Sequence, residues 1–204
     1  MVKYFHPIYK QYSEKTDHQI YVHGGGVFQA IKTDLLASHK QNLHSDCAWI
    51  WTQCQYAGRQ SLLFGTYYNP DEGICNLEKL EESLSKIGRK IDSHDVILAG
   101  DFNIPNINWS GQNLGLDPPA NKLVDLQNDF GFQQMVHEPT RRQDNTANIL
   151  YLVFTNNISL IKDLKVVPGI SDQVMVTFDV MLKCKRKKIP KRKSSYERKP
   201  TSTR

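Results

Sequence analysis

A layered α/β domain is what this sequence predicts, on three observations. Val96 to Ala99 form an unbroken apolar run closed by Gly100, and with no polar residue alternating in it the run reads as a strand buried on both faces. An amphipathic helix leads directly into that strand, because Leu77, Leu80, Leu84, Ile87 and Ile91 recur at three- and four-residue intervals across residues 76 to 91. A further apolar run, Ser61 to Tyr68, precedes the helix and likewise stops at polar residues and a proline, Asn69 and Pro70. Strand, helix and strand in succession are the alternation of a layered α/β fold.

The elements follow in chain order. Residues 1 to 19 carry Tyr4, Phe5, Tyr9 and Tyr12 without a period, and Ile20 to Val22 read as a short strand. Gly24-Gly25-Gly26 lacks both the Lys-Ser/Thr of a P-loop and the GxGxxG spacing, so it reads as a bulge or tight turn before Val27 to Ile31. His39, His44, Asp46, Cys47 and Cys54 are metal-ligating types, but their spacing matches no compact zinc pattern, and they read as a loop entering the strand Cys47 to Trp51. Tyr68 closes the strand that begins at Ser61, where its hydroxyl either serves a site or simply packs. Asp71-Glu72-Gly73 is a turn, and the helix after it is acidic early (Glu78, Glu81, Glu82) and basic late (Lys86, Arg89, Lys90), as its dipole favours.

At the C-terminal end of the central strand, Asp101 and Asn103 fall two residues apart before Pro105. If the extended path continues, they project to one side with Phe102 turned into the core; otherwise the stretch is an Asx turn. A carboxylate and a carboxamide at a sheet edge stand where α/β proteins commonly bind ligands. Beyond lie a long loop (106 to 119), a helix at 120 to 130 stopped by Gly131, and a short strand at 132 to 136. Pro139-Thr140-Arg141-Arg142 is a turn whose two guanidinium groups suit a phosphate, and strands follow at 148 to 155, 160 to 167 and 174 to 180.

The 204 residues, 39% hydrophobic and 10% aromatic, suit one globular domain over residues 1 to 182. No run of 18 apolar residues predicts a membrane span, and the N-terminus has no apolar signal-peptide core. Cys47, Cys54, Cys75 and Cys184 show no CxxC spacing, which points to reduced thiols and to a nuclear or cytoplasmic protein that is not secreted. The net charge of +5 divides unevenly. Residues 183 to 204 hold 11 Lys and Arg against a single Glu, leaving 15 basic and 20 acidic residues in the body. This basic tail predicts disorder, and it reads as a solvated linker, a nuclear-import signal or a contact for nucleic-acid phosphates.

Taken in order, GGGV at 24 to 27, Tyr-x-Pro at 68 to 70, GDFN at 100 to 103, PTR at 139 to 141, NILxLVFTN at 148 to 156 and Ser-Asp-x at 171 to 173 resemble the endonuclease/exonuclease/phosphatase superfamily. Within it the chain is most similar to the apurinic-type endonuclease domain of non-LTR retrotransposons of the jockey kind. That resemblance implies a four-layered α/β/β/α sandwich of two mixed sheets, here missing its first strands. It implies metal-dependent hydrolysis of DNA, nicked at a target site to prime reverse transcription, with Mg²⁺ or Mn²⁺ as cofactor. Asp101 would orient or deprotonate the attacking water, Asn103 would donate to the scissile phosphate, Tyr68 would supply a phosphate-side hydroxyl, and Asp172 would sit beside the cation. DNA is the implied partner, no membrane is involved, and a reverse transcriptase domain would lie downstream or have been lost.

The sequence also departs from that pattern. Gln173 stands where the family has the histidine of Ser-Asp-His, and Gln cannot carry a proton or positive charge near neutral pH. Tyr151 replaces the carboxylate that orients that histidine from the NILDLVFTN strand. Only 23 residues precede the glycines, too few for the family's upstream Asn and metal-binding Glu, and Glu14 lies too close to them to serve. The departures predict a family member impaired in catalysis, or a non-catalytic nucleic-acid-binding remnant acting through its tail.

Overall fold

The computed structural model describes residues 18–23, 27–32, 34–43, 49–56, 61–88, 94–111, 113, 115–143, 145–169 and 174–182. Several features singled out above lie outside those residues: Glu14, the triple glycine, His44, Asp46, Cys47, Ile91, Asp172, Gln173 and the basic tail.

The strands are β1 (His18–His23), β2 (Val27–Lys32), β3 (Ala37–His39), β4 (Trp49–Gln55), β5 (Ser61–Tyr68), β6 (Asp95–Asp101), β7 (Gln133–Gln134), β8 (Arg141–Gln143), β9 (Thr146–Asn148), β10 (Tyr151–Thr155), β11 (Ile161–Pro168) and β12 (Val174–Val180). Two helices, α1 (Ile74–Ile87) and α2 (Pro118–Asp129), accompany them. Six strands form one mixed sheet in the order β3-β4-β5-β6-β10-β7, with β5 and β6 parallel and every other pair antiparallel. This mixed α/β architecture is consistent with the sandwich that the family resemblance implies.

Burial on both faces explains why the central strands lack alternation. Trp51, Leu63, Tyr67, Val96, Leu98, Leu152 and Phe154 share one core with Leu77, Leu80, Leu84 and Ile87 of α1 and Leu123 and Leu126 of α2. Each such side chain contributes about 1.5–3 kcal/mol on burial. Ser83 interrupts the apolar stripe of α1 for a reason: its hydroxyl accepts from Trp51 Nε1 at 2.9 Å and donates to the Leu43 carbonyl at 2.6 Å, tying helix to sheet.

The opposite face of the sheet carries Cys54, Leu62, Phe64, Ile97, Ala99 and Val153 beneath a second β layer. Ile31 of β2 and Leu164, Val166, Val176, Phe178 and Val180 of the β11–β12 hairpin pack there. The β1–β2 hairpin is fastened by the buried Gln29. Gln29 Nε2 faces the Ile50 and Phe64 carbonyls at 3.1 and 3.2 Å and Thr66 Oγ1 at 2.7 Å, while Thr52 Oγ1 donates to Gln29 Oε1. No helix among the described residues is long and apolar enough to cross a membrane.

Several boundaries differ from the sequence reading, each for a local reason. Helix α2 begins at Pro118 because Asp117 Oδ1 accepts from Ala120 N at 2.9 Å, with proline in the first turn. The strand expected over 132 to 136 shrinks to β7, since the Gln134 carboxamide bonds both the N–H and the carbonyl of Val136 and curls the chain out of the ladder. The turn at 139 to 142 runs into β8, paired with β9. Asn148, expected in the strand of 148 to 155, belongs to β9, and β10 starts at Tyr151.

One contact sets the register of the central pair. A Cβ on Gly100 would lie 1.9 Å from the Tyr67 carbonyl oxygen, so only glycine permits the two backbones to approach this closely. Gly100→Ala is expected to lower the unfolding free energy by more than about 3 kcal/mol, read from urea midpoints. Gly88→Ala is the control: there φ is +57° in open space, and the cost is about 1–2 kcal/mol.

Candidate functional site

The site is built from strand ends. Tyr68 lies opposite Asp101 in the parallel β5–β6 pair, and Tyr151 lies opposite Asp101 in the antiparallel β6–β10 pair. Side chains of directly paired residues project to one face, so Tyr68, Asp101 and Tyr151 form a row across three adjacent strands. The row lies on the face covered by the second β layer, at the C-terminal end of β5 and β6. Asp101 is buried, 7% exposed, and the two tyrosines are half-buried.

Asn103 does not continue the strand. Its φ of +51° is left-handed, and its N–H donates to Asp101 Oδ1 at 3.0 Å, closing an Asx turn. Of the two paths open to the sequence, the turn is the one taken, with the Asp101 carboxylate accepting the N–H two residues on. Phe102 turns into the helix-side core as expected, with its ring 4.8 Å from Tyr67 and 5.2 Å from Phe154.

The Tyr68 hydroxyl titrates above the ordinary tyrosine value of 10.0, first because burial disfavours the phenolate and then because Asp101 and Asp71 are negative beside it. It is therefore a neutral hydrogen-bond donor at physiological pH. Next along the chain, Asn69 is wholly buried: its N–H donates to the Asp101 carbonyl at 2.9 Å, and its Oδ1 accepts from Asn76 Nδ2 of α1 at 2.8 Å. Asn69 Nδ2 finds no partner among the described residues. Sequence reasoning passed over Asn69, although the Tyr-x-Pro motif spans it.

On the other side of the row, Thr140 Oγ1 accepts from the backbone N–H groups of Leu150 and Tyr151 at 2.8 and 3.0 Å. This anchors the exposed β8–β9 hairpin, with Arg141 and Arg142, next to Tyr151. Asp172 and Gln173 of the Ser-Asp-x motif lie outside the described residues.

A divalent cation needs about six oxygen ligands. Among the described residues no three His, Cys, Asp or Glu side chains converge, and one oxygen of Asp101 already serves the turn. These residues alone do not fit a Mg²⁺ or Mn²⁺ site.

Residues 62–173, more than half of the chain, match the family described as endonuclease-reverse transcriptase. The chain belongs to that family. The matched segment of this endonuclease-reverse transcriptase homologue contains Tyr68, Asp101, Asn103, Tyr151 and Gln173. Comparison with curated proteins gave no match. Among solved structures, the fold is similar to the endonuclease domain of TRAS1, a telomere-specific non-LTR retrotransposon, with 18% identity, a TM-score of 0.61, and coverage of 89% of this chain and 79% of that one. It is also similar to a humanized D. rerio TDP2 carrying 14 mutations, with 12% identity, a TM-score of 0.50, and coverage of 82% and 78%. Family and fold together agree with the resemblance to retrotransposon endonucleases of the endonuclease/exonuclease/phosphatase superfamily.

Subtracting the absorbance titration of a Tyr68→Phe variant from that of the wild type isolates the Tyr68 phenol, with an expected midpoint above 10. Asp101→Asn is expected to lower that midpoint without returning it to 10, because burial, the larger cause, remains.

Proposed function

We propose that this chain is a retrotransposon-type endonuclease domain that keeps the strand-end site of its family but is impaired in hydrolysing DNA phosphodiesters. The observation that carries the proposal is the register of β10, which sets Tyr151 directly opposite Asp101 on the site face. The family resemblance expects a carboxylate there to orient a histidine. A phenol in its place is uncharged near neutral pH and offers no anion to an imidazolium.

In this proposal Asp101 orients or deprotonates the attacking water, Tyr68 donates its hydroxyl to a phosphoryl oxygen, and Asn103 places its carboxamide beside the scissile phosphate. The resemblance implies Mg²⁺ or Mn²⁺ beside Asp172, and such a cation would supply neutralisation of charge on the phosphoryl oxygens. Gln173, in the sequence position of the histidine, carries no charge near neutral pH. Losing one acid, base or transition-state donor costs about 10²–10⁴ in rate, and because the histidine and its carboxylate act as a unit their losses do not multiply.

A second proposal rests on the division of charge: a chain that no longer cuts still presents the 11 cationic side chains of residues 183 to 204 to nucleic-acid phosphates.

Nicking of supercoiled plasmid in Mg²⁺ or Mn²⁺ decides the first. The wild-type chain is expected to nick slowly, with the residual rate lost in Asp101→Ala, while Tyr151→Asp combined with Gln173→His raises the rate at least tenfold. Wild-type nicking that this pair of substitutions fails to raise would overturn the proposal.

A further inference from the structure

A cavity of about 380 Å³ lies away from the site row, where the loop after β6 meets α2 and β7. Its described lining has no charged residue: Trp109 and five carboxamides, Asn108, Asn113, Gln127, Gln133 and Gln134, dominate it. Those carboxamides divide by task. Asn113 clamps the loop, accepting from Asn108 N at 2.7 Å and donating to the Asn108 carbonyl at 3.2 Å. Gln134 spends its carboxamide on the backbone of Val136. Asn108 Oδ1 accepts from Ser110 N at 3.1 Å, which leaves its Nδ2 available. Gln127, half-buried, and Gln133, exposed on the edge strand, make no side-chain hydrogen bond among the described residues.

The aromatic wall is fixed from behind. Trp109 meets the edge of Phe154 with ring centroids 5.7 Å apart at 71°, so the ring is held by the helix-side core. Gly111 belongs to the same design, since a Cβ there would come within 2.7 Å of Asn108 Nδ2 and push that donor aside.

We infer that this cavity binds a nucleobase, with the heterocycle stacked on Trp109 and its hydrogen-bonding edge read by Gln127, Gln133 and Asn108 Nδ2. The volume suits a small planar ligand. Carboxamides present a donor and an acceptor side by side, the pairing they use on base edges, and an indole is a good stacking surface for any base. With no cation in the described lining, a phosphate finds no charge partner there. The binding is thus independent of the phosphodiesterase proposal and different in kind from contacts made by the basic tail.

Trp49 and Trp51 are fully buried, which makes Trp109 the tryptophan a ligand reaches. Titration of the full chain with adenosine, at low and at high salt, is expected to quench tryptophan emission saturably at millimolar concentration, with a midpoint that salt leaves unchanged; ribose leaves the emission unaltered. Gln133→Ala, on the exposed edge strand, and Gln127→Ala are each expected to raise the midpoint at least threefold. At high salt a short single-stranded oligonucleotide is expected to quench like adenosine per base where the cavity takes an unpaired base in a strand, and to leave the emission unaltered where it takes only a free nucleoside. Absence of saturable quenching by adenosine, equal quenching by ribose, or a midpoint unmoved by both glutamine variants would overturn the inference.

Discussion

Everything at the candidate site depends on how closely two backbones run. Gly100 lets β6 lie against the main chain of Tyr67, and no side chain larger than hydrogen fits between them. That approach fixes the parallel pairing of β5 and β6, and with it the row of Tyr68, Asp101 and Tyr151. Strand periodicity gives no room for compromise: a one-residue slip would turn Asp101 toward the helices and bring Phe102 to the site face. The aromatic contacts of Phe102 with Tyr67 and Phe154 oppose such a slip from the other side.

The second β layer is held by different means. Its apolar residues pack without directional preference, so they determine that the layer covers the sheet but not where the β1–β2 hairpin comes to rest. Gln29 supplies the position. Its carboxamide engages β4 and β5 together, and displacing it by one residue would leave the Thr52 and Thr66 hydroxyls buried without that partner. A lost hydrogen bond of this kind costs about 1–3 kcal/mol per buried group, enough to select one placement among several that bury similar apolar area.

The sequence made the central strand, α1, β5 and β12 legible because each is a sustained apolar pattern with a clear terminator. The start of α2 was harder to read, since Pro118 and Pro119 look like loop residues until Asp117 is recognised as the cap before them. The length of β7 could not be read from propensity, because a single side chain, Gln134, competes with the ladder for the Val136 backbone. At the site, Tyr68 and Asp101 were legible as strand ends, whereas Asn69 was hidden between two residues with more evident chemistry. The pairing of Tyr151 with Asp101 needed the register, which no local pattern specifies.

The GDFN stretch shows why a recognisable motif is weak evidence of turnover. Each of its four residues has structural work in this chain: Gly100 admits the neighbouring backbone, Asp101 accepts the Asn103 N–H, Phe102 fills the helix-side core, and Asn103 adopts the left-handed turn that asparagine tolerates better than most residues. A chain that had lost hydrolysis would still need all four to fold. Tyr151 is different, because its backbone N–H is fixed by Thr140 whatever side chain it carries, and its pairing with Asp101 is a backbone register. A residue whose backbone role any side chain fills reports on chemistry more directly than the four of GDFN, and here that residue departs from the pattern the resemblance implies.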